Sequence, residues 1–260
     1  MQGFAAIAFV VVLWALSTAV IFYLDSLHTR TFRISMAVAT LLLFGCAATI
    51  VWLRNDTSGF AIYASFGAAL LAWGWTEMAL YMGYVTGPRK TPCRKGCSGV
   101  AHFGHAVSAN LWHEILVIAF ALAIWLSGNT TALWCFVMLW LMHLSARLNV
   151  FLGARNVSEE FIPPHMEVLK GFLRRKRMNV LFPFSMLALA ALTYYLISLP
   201  SSLASIMATT LAVIGLAEHA LLMLPLPIEK FWRWTLSKST SPTSFKHQNL
   251  KTKTLTGSLS

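Results

Sequence analysis

Seven apolar stretches, each about as long as a bilayer is thick, constrain this chain more than any other feature. They run over 3–24, 33–53, 59–84, 103–126, 130–152, 180–199 and 201–224. A hydrocarbon core of ~30 Å needs about 20 residues of α-helix to cross it. Inside lipid every backbone N–H and C=O must be satisfied within the protein, so the expected form is helical. Period-2 alternation, the mark of a membrane barrel, is absent from the sequence. The expectation is therefore an all-α, polytopic membrane bundle of about seven transmembrane helices. The first stretch starts at Gly3 without a basic n-region and shows no small-residue cleavage site before Asp25, so it reads as a retained helix.

Composition agrees. The chain is 57% hydrophobic and only 11% charged, against roughly 25% charged residues in soluble domains. The formal net charge of +11 is distributed as a topology signal. Nineteen of the 20 Lys and Arg lie after odd-numbered stretches or, for Arg147, near the end of one, and only Arg54 falls on the other side. The positive-inside rule then places the N-terminus in the periplasm and the C-terminus in the cytoplasm. Such a basic excess suits anionic lipid headgroups, and no nucleic-acid partner is expected.

Domain organisation follows. Residues 1–228 form the transmembrane domain, and 229–260 form a basic tail. Eleven Ser or Thr between 237 and 260 give that tail the composition of a disordered segment. Within the domain, 153–179 is a cytoplasmic amphipathic loop. Ser158, Glu159 and Glu160 suit the start of a short helical turn, Pro163–Pro164 breaks it, and a second helix is expected over 165–177, lying in the headgroup plane. The plain alternative is a basic surface loop. No internal repeat is visible, which disfavours a transporter built from duplicated halves.

The chemistry lies in ionisable residues placed inside apolar stretches: Glu77; His105, His113 and Glu114; His143 and Arg147; Glu218 and His219. Such groups face the bundle interior and mark functional candidates by default. At 1.5 Å per residue, Glu77, His113, His143 and Glu218–His219 all lie roughly 10–15 Å from the cytoplasmic end of their helices. His105 and His113, eight apart on one continuous helix, share a side, whereas Glu114 diverges from His113 by about 100° and needs a different partner. The same holds for Glu218 and His219.

Three readings remain open: mutual pairing that orders the bundle, a metal site, and a tetrapyrrole pocket. For a di-iron site a Glu-x-x-His pair is missing, since Leu221 and Val117 stand three residues after Glu218 and Glu114. A tetrapyrrole would draw on a histidine ligand with Trp73, Trp75, Trp112, Trp134, Trp140 and Phe103 around it. Retinal is disfavoured, because the last helix offers no lysine for a Schiff base. Cys93 and Cys97, followed by His102 and His105, have a spacing that permits a metal without requiring one.

The stretches WGWTEMALYMGYVTGPRKTPCRKGC (73–97), HFGHAVSANLWHE (102–114), LWLMHLSARLNVFLGARNVSEEFIPPHMEVLK (139–170) and RRKRMNVLFPFS (174–185) resemble the PuhE family of photosynthetic complex assembly proteins. The similarity runs from about residue 10 to 230. The resemblance implies a multi-pass protein of the inner membrane, including photosynthetic intracytoplasmic membrane, linked to the reaction-centre H subunit gene cluster and to bacteriochlorophyll supply. It implies no catalytic residues. Expected partners are reaction-centre or antenna subunits and pigment-synthesis or assembly proteins. Glu77, His113, Glu114, Arg147, Asn149, Glu159, Glu160 and His165 fall within the matching stretches. In members of that family the His143 position often differs, which favours Arg147 as the retained charge. The leading expectation is an assembly factor that holds or hands over bacteriochlorophyll. Candidate cofactor residues are His105, His113, Glu114, Glu77, Glu218 and His219, and candidate partner contacts are Glu159, Glu160, His165, Arg147 and Asn149. The alternative is a metal-dependent membrane enzyme or regulator of bacteriochlorophyll synthesis.

Overall fold

The computed structural model describes residues 2–91, 97, 99–156, 171–173 and 175–224. Among these, eight α-helices account for nearly all regular structure: α1 Gln2–Asp25, α2 Phe32–Trp52, α3 Gly59–Tyr81, α4 Gly99–Ser108, α5 Leu111–Ser127, α6 Thr130–Leu152, α7 Leu181–Ser198 and α8 Leu203–Met223. Five of the crossings expected from sequence are long and apolar enough to span a membrane: α1, α2 with its 3₁₀ lead-in, α6, α7 and α8.

Two departures from the expected pattern matter. The stretch 103–126 is not one helix: α4 and α5 meet at a bend of 57° and together make a sixth candidate crossing. Helix α3 is not among these five, although on average it is as apolar as α2 and α8, and it is the helix that protein surrounds. It buries fourteen of its 23 residues, including the run Thr76–Glu77–Met78–Ala79–Leu80.

The connections on one side are short and capped by their own side chains. Ser58 accepts from the Ala61 N–H at the start of α3, Asn129 accepts from Ala132 at the start of α6, and Ser202 forms a capping box with Ser205 at the start of α8. These side chains satisfy amide donors that a helix leaves open. Gly128 ends α5 with φ 81°, a left-handed conformation suited to glycine. Asn129 also donates to the Ile50 carbonyl at 3.0 Å and to Ser65 Oγ at 2.8 Å, tying α2, α3 and α6 together at that end.

Matching positions along the helices define their directions. Phe9 meets Tyr63 and Phe66, and Ile21 meets Gly74, so α1 and α3 are parallel. Cys135 donates to the Phe66 carbonyl while His143 meets Glu77, so α3 and α6 are parallel. Met142 occupies the space beside Gly215, and Ser145 meets His219, which makes α6 and α8 parallel. Helices α2 and α5 run the other way: Trp75 bonds Thr40, and stacks on Phe120 at 5.5 Å. The core therefore consists of four parallel helices, α1, α3, α6 and α8, flanked by antiparallel ones. Small residues let them approach closely, as expected for helices that gain little from apolar burial within lipid.

The described part of the loop after α6 is not helical. Ala154 forms a lone parallel bridge with Arg175, the amides of Arg155 and Asn156 donate to the Leu222 carbonyl, and Asn156 Nδ2 donates to the Leu221 and Leu224 carbonyls. The amphipathic helix expected over 165–177 thus does not reach its proposed end. These contacts instead satisfy carbonyls at the end of α8. Glu159, Glu160, His165, Cys93 and the tail 229–260 lie outside the described residues.

Candidate functional site

The site begins with the interruption between α4 and α5. After α3 the chain turns at Gly83, and the Val85 amide donates back to the Ala79 carbonyl at 2.9 Å. This brings the VTGPR segment, 85–89, against the break. Gly87 packs so closely on the Ser108 carbonyl that a Cβ there would collide with backbone. Thr86 offers its carbonyl to the His113 amide at 2.9 Å, so one of the amides left open at the start of α5 is satisfied by the loop. His113 and Glu114 therefore sit in the first turn of a half-helix, and the break delivers them into the bundle.

There they meet α3 and α6. The Arg147 guanidinium donates to Glu114 Oε1 at 2.6 Å and to Glu77 Oε1 at 3.4 Å. His113, fully buried, lies between them: Nδ1 is 3.4 Å from Arg147 Nη1, and Nε2 is 3.5 Å from Glu77 Oε1. Nδ1 also lies 3.6 Å from Glu114 Oε1, so the ring stands between one guanidinium and two carboxylates. Glu114 also accepts from Trp140 Nε1 at 3.0 Å, and His143 Nε2 lies 3.3 Å from Glu77 Oε2.

Glu77, His113, Glu114 and Arg147 are thus one cluster, joined by His143. Glu114 does not seek a separate partner, as its angle on the helix suggests. The length of the guanidinium fork lets Arg147 reach both carboxylates while also meeting His113. His143, disfavoured by the family resemblance, is in the cluster.

His219 belongs to another network. It contacts the Gly215 carbonyl at 2.8 Å and Ser145 Oγ at 3.0 Å. Ser145 and Asn149 meet Ser185 of α7 at 3.0 and 2.9 Å, and Asn179 donates to the Asn149 and Gly153 carbonyls. Asn149 is buried among these neighbours, and this layer locks α6, α7 and α8 together. Glu218 points elsewhere, into a cleft shared with Glu77 and His143, so the expected divergence of Glu218 and His219 is present. His105 is not on a shared helix face with His113, because the bend separates them; it lies 3.5 Å from Cys97 Sγ. His102 contacts the Phe172 carbonyl.

The residues missed by sequence reasoning are Ser145, Ser185 and Asn179, and Trp140 was expected beside a tetrapyrrole and not as a donor to Glu114. Ser145 and Ser185 lie within apolar runs and read as packing. The pairs His143/Arg147 and Ser145/Asn149, each spaced i,i+4 and lying on roughly opposite sides of α6, were the available signal that this helix has two polar faces.

Neither cofactor reading fits this geometry. Among the described residues no group of three or more His, Cys, Asp or Glu side chains is arranged to hold a metal ion, and Arg147 places a fixed positive charge where a cation would sit. For a tetrapyrrole, both ring nitrogens of His113 face charged side chains. Trp112 and Trp134 lie on the outside of the bundle, while Trp75 is stacked on Phe120. The cleft beside Glu77 encloses about 140 Å³, the size of a cavity that takes benzene and far short of a macrocycle.

The fold and site define a multi-pass helical membrane protein whose core is held by a buried ionic cluster. The chain belongs to the family described as "Protein of unknown function (DUF3623)", which matches residues 1–243. It is 32% identical over 212 residues, 77% of each chain, to a Rhodobacter capsulatus protein described as an uncharacterized 30.4 kDa protein in the puhA 5' region. No solved structure matches it.

Proposed function

We propose that this protein is a PuhE-type assembly factor: a seven-crossing inner-membrane protein, N-terminus periplasmic and C-terminus cytoplasmic, that assists assembly of the bacterial photosynthetic reaction centre or antenna. The observation that carries the reading is the relative from the puhA 5' region, similar over 77% of both chains. The alternating helix directions support seven crossings, with α3 as one and the bent pair α4–α5 as another. The basic residues of the described loops support the orientation. A colourless scaffold is favoured over a pigment carrier, because the buried charges engage one another and the adjoining cleft is too small for a macrocycle. Partners are subunits of the photosynthetic complex or pigment-synthesis and assembly proteins, with anionic lipid at the basic face. Glu159, Glu160 and His165 form the docking loop.

Deletion of the gene in a phototrophic host tests this. Near-infrared bands of assembled complex should fall without build-up of a pigment precursor. A defined precursor would instead support an enzyme or regulator of bacteriochlorophyll synthesis. Replacing Glu159 and Glu160 by Ala should reduce assembled complex while the protein still accumulates; unchanged assembly removes the loop from the interface.

A further inference from the structure

Where α6 and α8 end and α7 begins, two short segments carry charge on a fixed backbone. Ala154 and Arg175 form a parallel bridge, and the Lys176 amide donates to the Ala154 carbonyl at 3.0 Å. The amides of Arg155 and Asn156 donate to the Leu222 carbonyl at 3.2 and 2.9 Å. Asn179 closes the other side: its Nδ2 donates to the Gly153 carbonyl at 2.8 Å, and its Oδ1 accepts from the Phe182 amide at the start of α7. Arg155 and Lys176 each stand one residue past the bridge, on strands about 5 Å apart. The Lys176 stem lies on Gly153, where a Cβ would collide with it.

Three features of this clip fit an anion at a lipid surface. First, Arg155, Lys176 and Arg177 are exposed, and the ion pairs among the described residues all belong to the interior cluster of Glu77 and Glu114. No described carboxylate pairs with the three cations. Second, the described carboxylates lie elsewhere. Asp25 and Glu77 are buried, Glu114 is held by Arg147, Glu218 lines the inner cleft, and Asp56 is in the loop at the opposite end of the bundle. Third, the chain leaving the clip toward α7 exposes Met178, Val180 and Phe184. Fixed cations next to exposed apolar side chains match the two parts of a phospholipid, its phosphate and its acyl chains.

We infer that this clip binds one anionic phospholipid, with its phosphate at Arg155 and Lys176 and its acyl chains along Val180 and Phe184. Arg177 adds to the attraction. The inference rests on the reading of the basic face as a membrane surface and names where the lipid is held there. Arg30 and Arg33 are also exposed, but they sit at the start of the single helix α2 and lack the paired backbone of the clip. They serve as the comparison.

The test uses the purified full-length protein in mild detergent, titrated with short-chain phosphatidylglycerol and with short-chain phosphatidylcholine, and followed by native mass spectrometry. Phosphatidylglycerol should saturate at one tightly held molecule and bind about tenfold more tightly than phosphatidylcholine. The double variant Arg155→Gln, Lys176→Gln should lower that affinity about tenfold, while Arg30→Gln, Arg33→Gln should leave it nearly unchanged. Equal affinity for the two lipids, equal losses in the two double variants, or no saturable binding each overturns the proposal. Displacement of the lipid by inorganic phosphate would overturn it as well, because the clip would then be a phosphate site that ignores the acyl chains. If the first double variant does not fold, the comparison of the two lipids on the wild-type protein, with phosphate as competitor, decides alone. Loss of assembled complex on gene deletion is read separately, so the assembly role and the lipid clip can fail independently.

Discussion

Helices α2 and α3 are neighbours in sequence and space and nearly equal in length, yet they live in different solvents. Helix α2 buries three of its 21 residues, while α3 buries fourteen of 23. The exposed Ile34, Val38, Leu41 and Phe44 of α2 form the surface expected against lipid. On α3 the corresponding depth carries Trp73 and Glu77, matched by side chains of other helices. Composition does not separate them, since α3 is as apolar on average as α2 and α6 is less so. The helix that organises the bundle is distinguished by a few polar residues placed where other helices meet it.

The contrast can be broken most forcefully at Arg147. Arg147→Ala leaves Glu77 and Glu114 without their guanidinium, and breaking a buried ion pair costs about 3–5 kcal/mol. The variant should lose most of its folded yield, measured by size-exclusion chromatography in detergent; wild-type yield and melting temperature would show that α3 is not held by this cluster. A smaller loss is expected from Gly87→Ala, which drives a Cβ into the Ser108 carbonyl. Overpacking of this kind costs about 1–3 kcal/mol, and the melting temperature in detergent should fall accordingly. Asn129→Ala removes bonds to α2 and α3 and the cap of α6, a loss of about 1–2 kcal/mol that thermal denaturation should detect. At the other extreme, Leu41→Ala on the lipid face of α2 should change stability by less than about 0.5 kcal/mol. A larger effect there would mean that α2 packs against a protein surface.

Legibility followed the same division. The lipid-facing spans, with boundaries within a few residues, were visible because hydrophobicity is read one residue at a time. Glu77, His113, Glu114 and Arg147 stood out because charge is costly in hydrocarbon. Which of them meet was not legible, since the answer depends on helix order and on the reach of Arg147. The bend at 109–110 was hidden although Ser108 and Asn110 flank it, because the apolar runs on either side join into one stretch of membrane-spanning length. Its cause lies about 20 residues upstream in Thr86 and Gly87, which a local window does not contain. Glu218 and His219 show the reverse case: their angular separation on one helix was enough to assign them to different surroundings.

The ion pair between α3 and α6 also sets a timetable. Glu77 and Arg147 are 70 residues apart, so at ribosomal speeds of about 5–20 residues per second the carboxylate is made roughly 4–14 s before its cation. During that interval α3 carries an uncompensated charge, and membrane insertion must retain it beside α1 and α2 until the arginine emerges. The newborn chain is most vulnerable to quality-control proteolysis in those seconds. A truncation ending before residue 147 should be degraded faster than one ending after α6.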